Sequence, residues 1–389
     1  MEERTLPSTS SARAENQRRT RSFLEWAGIL TLVVMILSCV GSIPWTMGRA
    51  IDPFDPEGNG RLRFDMQSLD AHLLPPSWAP YSKEEKVQLA DYVEELKEQR
   101  ETLSQSSPDL AKAIDTTPYF ALGSDELGRD FLTRCLAGGG ISLGIGIAAA
   151  LISVLIGTTY GMIAGYLGGR VDAVMMRFVD ILYGLPYILL VVLLAVGMNG
   201  IISRFSVMAE TARKTALEAG NKYEAPFWLE FIEGHAGLLN VLTLLVAIGG
   251  VSWLTMARVI RGQVLSLKRQ PFIEATRAIG VPIRQQFVRH LLPNLMGPII
   301  VYATLTVPQA ILQESFLSFL GIGIEPPLPS WGNLAAAGLS QLNPVESRWW
   351  LLLWPCLLLG LTLLALNFVG EGLREAFDPR RRTTASSDA

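Results

Sequence analysis

The sequence contains few of the residues that usually build catalytic or metal centres. Among its 389 residues there are three cysteines and three histidines. Three cysteines leave at least one thiol unpaired, and their spacing matches no metal-binding pattern. The histidines, His72, His235 and His290, are scattered along the chain. We therefore expect neither a metal site nor a catalytic residue here.

A second absence concerns nucleotide binding. The chain contains no Gly-x4-Gly-Lys-Ser/Thr sequence, the loop that surrounds the phosphates of ATP in many ATPases. We therefore expect no ATP and no other cofactor to be bound by this chain.

Charge is also sparse. Only 18% of the residues are charged and 49% are hydrophobic, and the mean hydropathy is +0.31. An average soluble domain has about 25% charged residues. This composition indicates a protein whose main partner is membrane lipid, and it gives no sign of nucleic-acid binding.

Long apolar stretches support this interpretation. A membrane-spanning helix needs about 20 consecutive, mostly apolar residues. Six stretches qualify and predict an all-α integral membrane protein with six transmembrane helices: 26–47, 141–166, 178–198, 238–259, 295–320 and 349–369. The first has no small-residue cleavage site, so we expect a retained anchor rather than a signal peptide. A soluble protein with six buried helices is the alternative.

The distribution of Lys and Arg predicts the orientation of these spans. If the N-terminus is cytoplasmic, the four inner segments hold more than half of the 33 basic residues in a much shorter length than the outer ones. We therefore expect cytoplasmic N- and C-termini. The predicted segments are a cytoplasmic tail at 1–25, a large extracytoplasmic loop at 48–130, a core at 131–375 with an outer insert at 199–237, and a cytoplasmic tail at 376–389.

The large outer loop contains one clear helix signal. Ser82 and Glu85 have the spacing of a capping box, in which each side chain bonds to the backbone N–H of the other residue. The spacing predicts a helix from this box to about Ser104. We interpret it as a solvated helix that packs on the rest of the loop, with docking of a partner as the alternative.

Within the spans, small and polar residues mark two candidate surfaces. Gly157, Gly161 and Gly165 share one helix face, which predicts close packing against another helix in this chain or in a second membrane subunit. Gln309 and Gln313 are four residues apart on the fifth predicted helix and are candidates for a polar translocation path. Glu314 lies near the outer end of the same helix, so we expect a structural role for it.

The segment 265–293 is the most informative part of the sequence. It is polar, basic and helix-forming, and it lies between the fourth and fifth predicted spans. Pro271 suits the first turn of a helix, and Glu274 follows where a carboxylate meets the positive helix end. We expect Gly280 to end this helix with a positive φ. Such a protrusion is suited to act as a lever for a soluble partner.

This segment resembles the EAA loop of ABC-importer permeases, in which Glu-Ala-Ala is followed at fixed spacing by Gly, Ile and Leu-Pro. Thr276 stands in place of the second Ala, and His290 in place of Ile. The residues that match this pattern at the expected spacing are Glu274, Ala275, Gly280, Leu292 and Pro293, and Arg277 lies between Ala275 and Gly280. His290 itself is typical of the oligopeptide/dipeptide/nickel branch. Other segments similar to that branch are 123–130, 165–172, 289–294, 317–323, 326–332 and 373–379.

The resemblance implies a type I ABC-importer permease of MetI-like fold, of the second-permease type, in a bacterial inner membrane. It implies that the loop around Glu274 couples transport to two ABC ATPase subunits, which bind ATP and Mg²⁺. Its other implied partners are a second homologous permease and an extracytoplasmic solute-binding protein, with a peptide or a related small solute as substrate. The alternatives are a secondary transporter and a non-transporting membrane scaffold or sensor.

Overall fold

The computed structural model describes residues 25–54, 60–112, 114–218, 236–343 and 346–376. Within these ranges six helices are long and apolar enough to cross a membrane, as predicted. We call them the first to sixth spans: Glu25–Thr46, Phe131–Leu167, Tyr187–Thr215, Gly237–Leu267, Ile283–Phe319 and Trp350–Ala376. The chain is thus an all-α, multi-pass membrane protein. Apart from Glu25 and Ala376, the two predicted tails lie outside the described residues.

The third span differs most from the predicted range of 178–198. One helix, Gly169–Tyr183, ends before Pro186, and a second helix, Tyr187–Glu218, begins after it. Proline lacks an N–H group and crowds the preceding turn, so the apolar run breaks there although hydropathy alone does not show it. The second helix continues into the predicted outer insert, of which residues 219–235 lie outside the described ranges.

The other spans also extend beyond their apolar segments. The second span begins at Phe131 rather than at residue 141, because the Asp130 carboxylate caps the helix by accepting the Thr133 N–H at 2.9 Å. The fourth-span helix, Ala236–Leu267, continues past residue 259 through turns that contain arginines. The helices of the last two spans are Leu292–Phe319 and Trp350–Ala376.

The predicted glycine face lies between the second and fourth spans. A Cβ atom added to Gly157 would lie 2.5 Å from the Met256 Cβ, and one added to Gly161 would lie 2.5 Å from the Ala257 oxygen. At Gly165 it would lie 2.9 Å from the Val264 Cβ. The two helices therefore pack backbone to backbone, within one chain.

The loop after the first span has its own small core. Its longest helix, Lys83–Ser106, begins with the predicted capping box, which is confirmed. The remaining elements are the antiparallel strands Arg49–Ala50 and Arg61–Leu62, the 3₁₀ turns Arg63–Asp65 and Leu69–Ala71, and the short helix Pro108–Ala111. Tyr92, Leu96 and Leu103 are buried against other apolar residues of this loop.

Two ionic contacts hold this loop to the bundle. The Arg348 guanidinium, just before the sixth span, donates to the Glu85 carboxylate at 2.7 Å. The Arg134 guanidinium, in the first turn of the second span, lies 3.4 Å from the Asp125 carboxylate of the loop. Within the loop, Arg129 pairs with Asp125 at 2.8 Å and with Asp65 at 2.9 Å. We call this end of the bundle the loop end.

The opposite end, which we call the EAA end, contains the segment between the fourth and fifth spans. This segment forms the helix Pro271–Ala278 (the EAA helix), the helical turn Ile283–Gln285 and a wider π-helical turn, Gln286–Leu291. The helix Gly169–Tyr183 lies at the same end and is joined to the fourth span by the ion pairs Asp172–Arg261 and Asp180–Arg258.

A further helix, Trp331–Ser340, follows the fifth span and packs back onto it. Gly332 lies so close to the Ser315 backbone that a side chain would overlap it. As a result Glu314, expected near the end of the span, is fully buried. The Ser318 hydroxyl donates to its carboxyl group at 2.8 Å, and the Ser315 hydroxyl donates at 3.3 Å.

Candidate functional site

The EAA helix has the boundaries that its sequence predicts. It begins at Pro271 and its C-cap is Ile279. Gly280 follows with φ +79°, so the predicted positive φ is confirmed. The Gly280 N–H donates to the Arg277 oxygen at 3.0 Å, and the Val281 N–H donates to the Thr276 oxygen at 3.0 Å. This is a Schellman motif, which satisfies two of the last carbonyl groups of the helix.

The two faces of this helix have different surroundings. Ile273 is fully buried among apolar residues of the second, fourth and fifth spans. Glu274, Ala275 and Ile279 are exposed, and 81% of the Ile279 surface is accessible. The helix is therefore fixed to the bundle along one side and presents the motif residues Glu274 and Ala275 on the other.

Thr276 and Arg277 are half-buried and lie between the packed and the exposed face of the helix. The Thr276 hydroxyl donates to the Ile273 carbonyl at 2.7 Å, within the same helix. The Arg277 guanidinium lies over the ring of Tyr166, 4.7 Å from its centroid. An arginine over an aromatic face is stabilised by the ring quadrupole.

The remaining motif residues lie where the π-helical turn enters the fifth span. His290 and Leu292 are half-buried, and Pro293 is exposed in the first turn of the helix Leu292–Phe319. Between them Leu291 is fully buried in the same cluster as Ile273. The two ends of the motif thus rest on one apolar cluster.

Three residues of this site were missed by sequence reasoning. The Tyr166 hydroxyl donates to Gln286 at 2.5 Å, and the Lys268 ammonium donates to the Tyr166 carbonyl at 2.5 Å. Burial lowers the pKa of Lys268 below its ordinary value, and the nearby charge of Arg277 lowers it further. No sequence pattern pairs Tyr166 with Gln286, because they are 120 positions apart.

A cavity of about 870 Å³ lies between the third, fourth and fifth spans. Gln309 and Gln313, the predicted polar pair, both line it. The other polar lining residues carry hydroxyl groups: Tyr183, Tyr187, Ser252, Thr255, Tyr302 and Thr306. The side chains that line this cavity include no Asp, Glu, Lys, Arg or His within the described residues. Its wall therefore offers neutral hydrogen-bonding groups on an apolar background.

One side chain joins the three spans around this cavity. The Tyr187 hydroxyl donates to the Gln313 amide oxygen at 2.7 Å and lies 2.8 Å from the Ser252 hydroxyl. Gln309, one turn earlier on the fifth span, is exposed. Gln313 thus has a structural partner in the cavity wall, whereas Gln309 is accessible to a solute.

Residues 157–383 match the family described as "Binding-protein-dependent transport system inner membrane component". The oligopeptide transport system permease protein OppC of Haemophilus influenzae is 42% identical over 264 residues, which cover 68% of this chain and 71% of that protein. The dipeptide transport system permease protein DppC of Bacillus subtilis is 42% identical over 260 residues, 67% of this chain and 68% of that protein.

A longer match extends over most of the sequence. The di/tripeptide transport system permease protein DppC of Pseudomonas aeruginosa is 30% identical over 359 residues, 92% of this chain and 89% of that protein. The chain belongs to the family of binding-protein-dependent transport permeases. It is the permease subunit of an ABC importer, with the type I permease fold and of the second-permease type. The alternatives of a secondary transporter and of a membrane scaffold are not supported.

Proposed function

We propose that this permease imports peptides, or a related small solute, across a bacterial inner membrane. Its proposed partners are a second homologous permease, two ABC ATPase subunits that bind ATP and Mg²⁺, and an extracytoplasmic solute-binding protein. The substrates in the names of the three relatives above support the substrate class. In this proposal both termini and the EAA end are cytoplasmic, and the loop end faces the binding protein.

The observation that carries the proposal is the two-sided EAA helix. Ile273 fixes it to three spans, while Glu274 and Ala275 remain free to contact another protein. In this proposal one ATPase subunit holds the EAA helix of each permease, and the helix moves with that subunit when the ATPase dimer closes on ATP. Because its other face is packed on the spans, that movement becomes a rigid-body change of the permease pair between inward- and outward-open states.

The cavity supports the same function. A peptide backbone carries one amide donor and one carbonyl acceptor at most positions. The amide group of Gln309 and the hydroxyl groups around it can bond to such a backbone whatever its side chains are. We propose that Gln309 and Gln313 lie on the translocation path and that the second permease completes it.

The proposal is tested by reconstituting this permease, the second permease and the ATPase subunits in proteoliposomes and adding the solute-binding protein of the same system. We expect uptake of labelled di- to oligopeptides that requires ATP and the binding protein. Free amino acids serve as the control solute. Uptake that proceeds without the ATPases, driven by an ion gradient, would refute the assignment to this chain.

A further inference from the structure

Tyr166 occupies a particular position at the EAA end. It lies in the last turns of the second span and is buried, with 8% of its surface accessible. Its ring contacts Arg277 on one side of the Gly280 turn. The edge-on ring of Phe287 lies on the other side, with the ring centroids 4.9 Å apart. One aromatic side chain thus contacts the EAA loop both before and after its turn.

The hydroxyl group of Tyr166 acts on the turn itself. It donates to the Gln286 amide oxygen at 2.5 Å, and the Gln286 amide nitrogen donates to the Val281 carbonyl at 2.6 Å. Gln286 is buried, with 3% of its surface accessible, and its bond to Tyr166 is shielded from water. Tyr166 therefore fixes the side chain that closes the turn.

This contact matters because no side chain packs against the turn at Gly280. The φ of Gly280 is positive, and no atom lies within 4 Å of the place where its Cβ would be. The turn is therefore held by its two backbone hydrogen bonds and by Gln286 rather than by side-chain packing at Gly280. A displacement of the EAA helix is therefore transmitted more directly by packed side chains, Ile273 and Tyr166 among them, than by the turn alone.

The second span can pass such a displacement on. Its glycine face packs against the backbone of the fourth span, and Lys268, just after the fourth span, donates to the Tyr166 carbonyl. The second and fourth spans therefore move as one unit at this end. The fourth span also forms one wall of the cavity.

We propose that Tyr166 is a positioning residue for energy coupling. It delivers the movement of the EAA helix sideways to the second span, in parallel with the chain connections to the fourth and fifth spans. This inference rests on the proposed docking of the ATPases at the EAA helix. The ring and the hydroxyl group of Tyr166 have separate partners, Arg277 and Gln286, so their contributions can be separated by substitution.

The test uses the complete reconstituted complex with Tyr166→Phe and Tyr166→Leu. The matched control is Tyr160→Leu in the same span. The Tyr160 hydroxyl also donates to a backbone carbonyl, that of Met175, at 2.8 Å, and its ring also packs edge-on, against Trp253. Three quantities are measured: the amount of ATPase subunits that co-purify, the rate of ATP hydrolysis with binding protein, and the number of peptides imported per ATP.

We expect Tyr166→Leu to retain the ATPase subunits, because Glu274 and Ala275 stay exposed. Import per ATP should fall about fivefold or more, the lower end of typical coupling between sites. The import per ATP of Tyr166→Phe should lie between the values for Tyr166→Leu and the wild type, and Tyr160→Leu should keep the wild-type value. Adding Tyr166→Phe to Gln286→Leu should lower the ratio little further, since Gln286→Leu already removes the bond between the two side chains.

The inference is overturned if Tyr166→Leu keeps the wild-type import per ATP, or if Tyr160→Leu lowers it equally. Loss of the ATPase subunits from the Tyr166→Leu complex would also overturn it, because the residue would then act in docking. The proposed function fails separately, if the wild-type complex itself neither retains ATPase subunits nor imports peptide.

Discussion

Asp172 and Arg261 join two helices at the EAA end through a pair of hydrogen bonds. The Arg261 Nε donates to one carboxylate oxygen at 2.5 Å, and its Nη2 donates to the other at 2.6 Å. The Asp172 side chain is 12% exposed. A two-bonded, poorly hydrated pair of this kind fixes orientation as well as distance. It attaches the helix Gly169–Tyr183 to the fourth span.

Removal of this pair should destabilise the protein. For Asp172→Ala we expect a loss of roughly 1.5–3 kcal/mol, the range for hydrogen bonds to charged groups. The matched control is Asp180→Ala on the same helix. Its pair with Arg258 has one bond at 2.8 Å and a 57% exposed carboxylate, so it should cost under about 1 kcal/mol. The measurement is the thermal midpoint of the purified protein in detergent, and a larger shift for Asp180→Ala would contradict this account.

The glycine face of the second span should not accept a large side chain. Gly161→Leu forces atoms into the backbone of the fourth span, so we expect a loss of about 1–3 kcal/mol and less inserted protein. Gly144→Leu in the same helix is the control, because no atom lies within 4 Å of its added Cβ. The measured quantity is the amount of folded protein extracted from membranes. Equal yields from the two variants would show that Gly161 is not closely packed.

Substitutions of Gly280 should act through backbone strain rather than through steric overlap with neighbouring atoms. A β-branched residue is strained at φ +79°, whereas asparagine tolerates this region better. Gly280→Val should therefore lower binding-protein-stimulated ATP hydrolysis and peptide uptake strongly, and Gly280→Asn less. Glu274→Ala should weaken docking of the ATPases without a change in the turn. Wild-type activity of Gly280→Val, properly inserted, would show that the turn has no part in coupling.

The proposed orientation can be tested by labelling. In a background with Cys356→Ser, which removes the exposed native thiol, we introduce Ser82→Cys at the loop end or Ile279→Cys at the EAA end. An impermeant maleimide added to intact spheroplasts should label the first and not the second. Labelling of both after lysis is the control for access. The reverse pattern would place the termini outside.

Much of this fold is visible in the sequence because it depends on local properties. Length and hydropathy identify six spans, and Ser82 with Glu85 identifies the start of the loop helix. The positive φ of Gly280 follows from its place after a short helix. In each case the deciding residues lie within a few positions of one another, so the physical cause can be read directly.

What the sequence did not predict arises from contacts between distant residues. Tyr166 and Gln286 meet only after the second span and the EAA loop have packed together. The burial of Glu314 depends on the helix Trp331–Ser340 returning against the fifth span. Pro186 was visible, but the apolar run around it obscured the end of one helix and the start of the next.

The carboxylate of Glu85 has two tasks. One oxygen accepts the Ser82 N–H at 2.7 Å and closes the first turn of the helix Lys83–Ser106, while the other accepts from Arg348 at 2.7 Å. Fraying of that first turn and separation of the loop from the sixth span are therefore linked equilibria, and whatever favours one favours the other. A protein that binds this helix from outside therefore also changes the free energy of the contact between Glu85 and Arg348.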